Sequence, residues 1–261
     1  MSILRVAGIQ HDICWEDRDA TLARLRAPVA AAVAGGARLV VLPEMFAVGF
    51  TLDTAKVAEA PGGPTSEWLA SAARDHGIWI CGSIPVLDPD RDRPVNRLVL
   101  AGPEGGEVIY DKIHPFSYAR EDTRFASGDA AVTVEVAGVR TGLTVCYDLR
   151  FADQYWGTAP GTDLYVVVAN WPASRRHHWK SLLVARAIEN QAYVVGVNRV
   201  GTGGRESYVG DSCIVDPLGE ILAHAAGVET IVSADVDPAV VERTRATYPF
   251  LADRVSVRFP S

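Results

Sequence analysis

Three stretches of this sequence occur twice. ARLVVLPEMF is echoed by TDLYVVVANWP, HGIWICGSIPV by NQAYVVGVNRV, and NRLVLAGPEGGEVI by DSCIVDPLGEIL. Two like halves constrain a chain strongly, because each must form a sheet of the same topology and the two must pack about a pseudo-two-fold axis. The offset is 126 residues for the first pair (Val40 to Val166) and 114 for the later ones (Gly82 to Gly196, Pro103 to Pro217), so an insertion separates them. Short β-branched runs alternate with Ala/Leu/Arg stretches of helical period, the pattern of an α/β domain rather than an all-β one. The expected architecture is a four-layer αββα sandwich, helices outside two facing sheets. No low-complexity linker divides the halves, so a single domain over 1-261 is expected.

The first half reads as a strand Leu4 to Gln10, a helix from about Asp17 to Ala34, a strand Arg38 to Leu42, a helix Ser66 to His76, and the strands GIWICGSIPV, NRLVLAGP and EVIYDK. The second half begins with the strands VTVEVAG and TGLTVCYD and a helix near residue 151. The strand DLYVVVAN, a helix from about Arg175 to Asn190, and the strands AYVVGVNRV, DSCIVDPLG and ETIVSADVD follow.

With 48% hydrophobic and 22% charged residues, the 261-residue chain can bury a large core, which excludes a disordered or fibrous protein. No uncharged apolar run approaches the roughly 18 to 20 residues that span a bilayer. The start, MSILRVAGIQHDICW, lacks the apolar core and cleavage site of a secretory signal, so a cytoplasmic location is expected. A net charge of −7 argues against a nucleic-acid partner. Cys14, Cys81, Cys146 and Cys213 form no CxxC pair, which points to free thiols and to no zinc site. Only Lys56, Lys112 and Lys180 are lysines among 25 basic residues, so each stands out.

Three residues at strand ends carry candidate chemistry. In GLTVCYDLRF an apolar strand ends at Cys146 before a turn toward a helix. Such a turn can project a nucleophile from the sheet edge, with backbone N–H groups nearby for an oxyanion and a helix dipole favouring a thiolate. A buried core thiol is the alternative, and Cys14, Cys81 and Cys213 are read that way. In LVVLPEMF, Glu44 follows the strand directly, and the 126-residue offset places it opposite Asn170, both at carboxyl edges where open α/β sheets bind ligands. In IYDKIHPF, Lys112 ends a strand as either an oxyanion clamp or a solvated cation. For Glu121, flanked by Arg120 and Arg124, a solvated charge run is the stronger reading of the residues alone. A Glu to move the proton, a Lys to hold the oxyanion and a Cys to form an acyl-enzyme are what amide hydrolysis by a thiol requires. A free thiol has a pKa of about 8.5, so a base or positive field is needed to raise its thiolate fraction at neutral pH.

The order LPEMF, YDKIHPF and VCYDLRF, followed by NWPASRRHHWKSLLVARAIENQAYVVGVNR, resembles the carbon–nitrogen hydrolase (nitrilase) superfamily over nearly the whole chain. The resemblance implies an αββα fold, a Glu44, Lys112 and Cys146 triad, no cofactor, no metal, and a homodimer or larger assembly. It also implies that Glu121 is a second catalytic glutamate and that the backbone N–H of Tyr147 joins Lys112 in the oxyanion hole. PEMFAVGF, CYDLRF, NWP and ARAIENQAYVVGVNRVG are most similar to the omega-amidase branch, whose substrates are 2-oxoglutaramate and related monoamides. Pro115 departs from the Leu usual in that branch, and the length of the following loop, SYARED, differs from some members.

An omega-amidase must hold a carboxylate away from the scissile amide, which calls for a cationic or multi-donor partner. Arg150, Arg175, Arg176, Tyr118 and Arg120 are the candidates, while Phe50, Asn170 and Trp171 are candidates for the pocket wall. His114 is read as a structural hydrogen-bonding residue. The adjacent His177 and His178 do not share a helix face as metal ligands would. GTGGRE lacks the third glycine of a dinucleotide fingerprint, and no lysine sits in a phosphate loop, which disfavours a nucleotide-binding module. The sequence therefore points to a cofactor-independent amidase acting on a small linear amide. A nitrilase or N-carbamoyl amidohydrolase with the same triad is the alternative, and a non-catalytic relative has no need of all three residues.

Overall fold

A computed structural model describes residues 3–255. The first half contains β1 (Leu4–Gln10), α1 (Arg18–Ala34), β2 (Leu39–Val41), α2 (Thr54–Val57), α3 (Pro64–His76), β3 (Trp79–Val86), β4 (Val95–Ala101) and β5 (Glu107–Asp111). The second contains β6 (Val132–Val136), β7 (Val139–Val145), α4 (Ala152–Thr158), β8 (Leu164–Ala169), α5 (Arg176–Asn190), β9 (Tyr193–Asn198), β10 (Val200–Gly203), β11 (Glu206–Val215), β12 (Ile221–Ala226), β13 (Thr230–Val236) and α6 (Pro238–Thr247).

Two sheets face each other. One runs β13-β1-β2-β3-β4-β5, in which only the β1–β2 and β2–β3 pairs are parallel. The other carries β6-β7-β8-β9-β11-β12, again with only the second and third pairs parallel, and β10 extends the near end of β11. The repeat is thus real at the level of topology, with β13 completing the first sheet from the far end of the chain. The inter-sheet core draws Val6, Val41 and Leu98 from one half and Val145, Val166 and Val195 from the other. Leu25 of α1 and Leu69 of α3 cover the outer face of the first sheet, and Trp179 and Leu183 of α5 cover that of the second. Each fully buried Val or Leu contributes roughly 1.5–3 kcal/mol. Gly8 allows the sheets to approach closely, since a Cβ there would lie 2.6 Å from Val197 Cγ2.

One detail of the repeat is corrected. Val40 packs under the helices whereas Val166 faces the opposite sheet, so an offset of 126 pairs residues on opposite faces. In the parallel ladders Val41 pairs with Gly8 and Cys81, and Val166 pairs with Leu143 and Val195. Gly82 and Gly196 both point to the outer face of their sheets, against Phe46 of the loop after β2 and Leu183 of α5, so the 114-residue offset stands. Carried from Gly82 and Gly196 to their neighbouring strands, the same faces give 125 for β2 and β8. Because a strand alternates faces at every residue, a slip of one is the difference between core and exterior.

Local chemistry accounts for the element boundaries. Asp17 caps α1 by accepting from the Ala20 N–H (3.0 Å), and Gly77 ends α3 in the left-handed conformation with φ 64°. α3 begins at Pro64, two residues before the expected start, as suits a proline in a first helical turn. The helix expected near residue 151 is α4, which begins at Ala152 after a 3-10 turn, Cys146–Arg150. AYVVGVNRV breaks at Arg199 into β9 and β10, and the strand expected from Asp211 begins at Glu206. β12 and α6 were not anticipated: β12 is largely exposed and α6 has few apolar positions, so neither carries a strong period.

Candidate active site

The carboxyl ends of β2, β5, β7 and β8 meet where the two sheets face each other, and their loops enclose a cavity of about 490 Å³ including its open mouth. Glu44, Lys112, Cys146, Asn170, Trp171, Phe50, Tyr147, Arg150 and Arg175, all named from sequence, line it. Tyr118 does not. It is 82% exposed on the rim, where its ring lies 5.7 Å from that of Phe116 and 6.0 Å from the Arg175 guanidinium.

Cys146 follows the last residue of β7 with φ +49°, a conformation disfavoured for any side chain with a Cβ. The left-handed turn takes the thiol off the strand and leaves it partly exposed in the cavity. Tyr147 follows in the first turn of the 3-10 helix, whose leading N–H groups have no acceptor within that helix. Asp148, buried, fastens this turn: it accepts from the Val145 N–H (3.0 Å), the Tyr110 hydroxyl (2.6 Å), and the N–H and Nδ1 of His114 (3.0 and 2.8 Å). The segment after Lys112 is thereby tied to the turn that carries Cys146. His114 is structural, stacked on Phe151 with ring centroids 3.6 Å apart.

Glu44, Lys112 and Glu121 are almost fully buried. Lys112 Nζ donates to Glu44 Oε1 (2.8 Å) and to both oxygens of Glu121 (3.1 and 2.8 Å). Asn96 Nδ2 donates to Oε1 of Glu44 (2.9 Å) and Oε1 of Glu121 (3.1 Å). The Phe116 N–H donates to Glu121 Oε2 (2.6 Å), and the Asn170 N–H to Glu44 Oε2 (2.9 Å). Asn170 also donates through Nδ2 to the Glu44 main-chain oxygen, joining the ends of β2 and β8 across the pseudo-two-fold axis.

A carboxylate offers about four acceptor sites. Glu121 receives four donors, counting Lys112 at each oxygen, Asn96 and Phe116. Glu44 receives three, from Lys112, Asn96 and Asn170. One acceptor site therefore remains on Oε2 of Glu44. Burial opposes charge on Lys112, but Glu121 and Glu44 outweigh it and hold the ammonium well above its ordinary pKa. Burial pushes Glu121 up while Lys112 pulls it back. The Cys146 thiol is raised well above its ordinary value, first by burial and then by Glu44, with Lys112 opposing. The resting nucleophile is thus a thiol beside an acceptor, and the expectation of a thiolate favoured by a helix dipole is corrected: an α-helix does not follow directly, and the adjacent carboxylate opposes ionisation.

The arginines separate by their partners. Arg176 is committed to Asp211, donating through Nε and an NH2 group at 2.9 Å each, so its candidacy falls away. Arg120 is exposed at the 3-10 turn after Lys112 and is not in the wall. Arg150 donates to His178 Nδ1 (3.1 Å) and lies 4.8 Å from the Trp171 ring; Arg175 lies 5.2 Å from the Phe116 ring. Neither makes an ion pair among the described residues.

Several wall and support residues were not anticipated. Asn96 carries no signal in the sequence beyond its place in the strand NRLVLAGP. Phe116 and Ala119 come from the loop after Lys112, Pro172 from the segment after β8, and Glu206 and Tyr208 from β11. Tyr208 is buried, its ring 4.7 Å from the Arg199 guanidinium, and its hydroxyl pKa is raised chiefly by burial. Its one legible signal is an aromatic residue beside a glycine-rich turn.

Known proteins resemble this chain in sequence and in fold. The carbon-nitrogen hydrolase family pattern matches residues 5–246. The omega-amidase YafV of Escherichia coli (strain K12) is 38% identical over 253 residues, covering 96% of each chain. A 2-oxoglutaramate amidase of Bacillus subtilis (strain 168) is 33% identical over 223 residues, covering 83% of this chain and 85% of the relative. The crystal structure of XC1258 from Xanthomonas campestris, a CN-hydrolase superfamily protein with an arsenic adduct in its active site, superposes with a TM-score of 0.93 at 36% identity over 100% of both chains. Sequence pattern, relatives and fold converge, and the chain belongs to the carbon-nitrogen hydrolase family, as an amidase.

Proposed function

We propose that this amidase hydrolyses the ω-amide of a small dicarboxylate monoamide, of the 2-oxoglutaramate or succinamate kind, through a Cys146 acyl-enzyme. The observation that carries the substrate class is the pair of arginines, Arg150 and Arg175, in the cavity wall without a carboxylate partner. Charged groups so placed call for an anion, and the names of the Escherichia coli and Bacillus subtilis relatives support the same class.

In the proposed mechanism Oε2 of Glu44 accepts the Cys146 proton as sulfur attacks the amide carbon. The resulting oxyanion is held by the Tyr147 N–H and by the Lys112 ammonium, which frees one N–H for it by sharing another between the two oxygens of Glu121. Glu44 returns the proton to the amide nitrogen, the C–N bond breaks and ammonia leaves. A water then gives its proton to Glu44 and attacks the thioester, and return of that proton to sulfur releases the carboxylic acid. Glu121, with its acceptor sites filled, positions Lys112 rather than moving a proton.

The proposal extends to a single domain over residues 1–261, supported by the inter-sheet core that both halves share. A homodimer rests on the family resemblance and is open to test by sedimentation, and a cytoplasmic location is open to test by fractionation. Among the described residues no helix is long and apolar enough to cross a membrane.

Ammonia release from ω-amides, nitriles and N-carbamoyl amino acids tests the reading. Succinamate or 2-oxoglutaramate should exceed butyramide in kcat/KM by about 10- to 150-fold, equivalent to roughly 1.5–3 kcal/mol for one charge-assisted contact. Replacing Arg150 or Arg175 by Met should erase that margin and leave butyramide hydrolysis unchanged. A nitrile or a carbamoyl amino acid as the better substrate would remove the omega-amidase reading while leaving the cysteine mechanism intact.

A further inference from the structure

We infer that Asn96 is a positioning residue that fixes the Glu44 carboxyl and keeps its free acceptor site for the Cys146 proton; the inference rests on the reading of Glu44 as the base. Asn96 lies on β4, a strand whose residues are all buried, and is itself 1% exposed. Its Nδ2 donates to Oε1 of both glutamates, two of the three oxygens that Lys112 Nζ contacts. The four groups close a ring of alternating donors and acceptors: ammonium, carboxylate, amide, carboxylate. Its main-chain oxygen accepts from the Lys112 N–H (3.0 Å), so Asn96 also fixes the strand from which the lysine projects.

Two features mark the donor as selected for the site rather than for packing. Asn96 Oδ1 is buried without a hydrogen-bond partner, although buried amide oxygens are ordinarily satisfied. Turning the amide over would set that oxygen against two carboxylates, so the orphaned atom is the consequence of presenting both N–H bonds to Glu44 and Glu121. Lysine alone would leave each Oε1 with one donor. The amide gives Glu44 Oε1 its second, so the remaining site lies on Oε2, and it does so without adding charge.

Removing a donor from an ionised carboxylate raises that group's pKa. In Asn96→Ala the acid limb of kcat/KM should therefore move to higher pH, while the rate on the alkaline side of the limb stays within about 10-fold of wild type. Asn96→Asp keeps the volume but adds a third carboxylate, and its limb should move further in the same direction. The pH dependence of Cys146 alkylation by iodoacetamide, which needs no substrate, should shift in parallel. A fall in rate by one common factor at every pH, with the limb and the alkylation profile unmoved in both variants, would assign Asn96 a packing role and overturn the inference. Should Asn96→Ala fail to fold by circular dichroism, Asn96→Asp decides alone. Retained acyl-enzyme formation in Glu44→Gln would instead overturn the assignment of the base, so the two failures are distinguishable.

Discussion

The ends of β1 and β7 occupy equivalent places in the two halves. Gly8 and Leu143 face the opposite sheet at matched ladder positions beside Val41 and Val166, and counting forward brings His11 into the place of Cys146. After β7 the chain turns left-handed at Cys146 and delivers a thiol to the cavity. After β1 it continues outward to the bridge between Asp12 and Val200, leaving His11 buried with Nδ1 3.1 Å from the Asp12 main-chain oxygen and Nε2 unpartnered. The carboxyl edge of the first half supplies instead a carboxyl group and a cation, Glu44 and Lys112, to a cavity whose thiol belongs to the second. Duplication therefore supplied two equivalent edges. The left-handed angle at Cys146 and the loop that follows β5 distinguish the edge that presents a thiol to the cavity from the one that does not.

The largest test of this contrast replaces the two equivalent residues. Cys146→Ala should reduce turnover by more than about 10⁴-fold with circular dichroism unchanged, since it removes the nucleophile but little buried area. His11→Asn should leave kcat within about 3-fold of wild type. Comparable losses from both substitutions, measured by ammonia release, would mean that the halves are not functionally divided.

Next in size is the contrast between the glutamates. Glu44→Gln should slow acyl-enzyme formation by about 10³-fold or more, because no acceptor for the thiol proton would remain. Glu121→Gln should cost about 10- to 100-fold, through displacement of Lys112. Single-turnover rates check the order, and equal acylation in wild type and Glu44→Gln would refute it.

The smallest effect concerns stability. Burial lowers the His11 pKa to about 4, against an ordinary 6.5, so between those values the unfolded chain binds a proton that the folded chain does not. Stability contributed by His11 is thus complete above about pH 6.5 and falls as the pH drops toward 4, by at most about 3 kcal/mol from this group. Urea unfolding of His11→Asn should show a shallower decline over that interval than wild type. An unchanged slope would place the acid sensitivity elsewhere.

Strand ends were legible in the sequence because alternation and β-branched runs are local signals, and Glu44, Lys112 and Cys146 each follow such a run directly. The doubled topology was legible for the same reason: a buried strand announces itself by composition and a glycine facing a helix by its spacing. The 126-residue offset failed by one because apolar runs buried on both faces do not reveal which face a given Val occupies. Asn96 was hidden within such a run, and β12 and α6 carried too little apolar period to register. What the chain determined by itself is which residues stand at the edges of its strands. Only the tertiary structure decided that Glu121 is saturated while Glu44 keeps one free site, that Arg176 is bound to Asp211 while Arg150 and Arg175 are not, and that the cysteine rests as a thiol. Those outcomes depend on donors brought together from residues as far apart as Glu44 and Asn170, and hydrogen-bond geometry between distant segments leaves no periodic trace in a sequence.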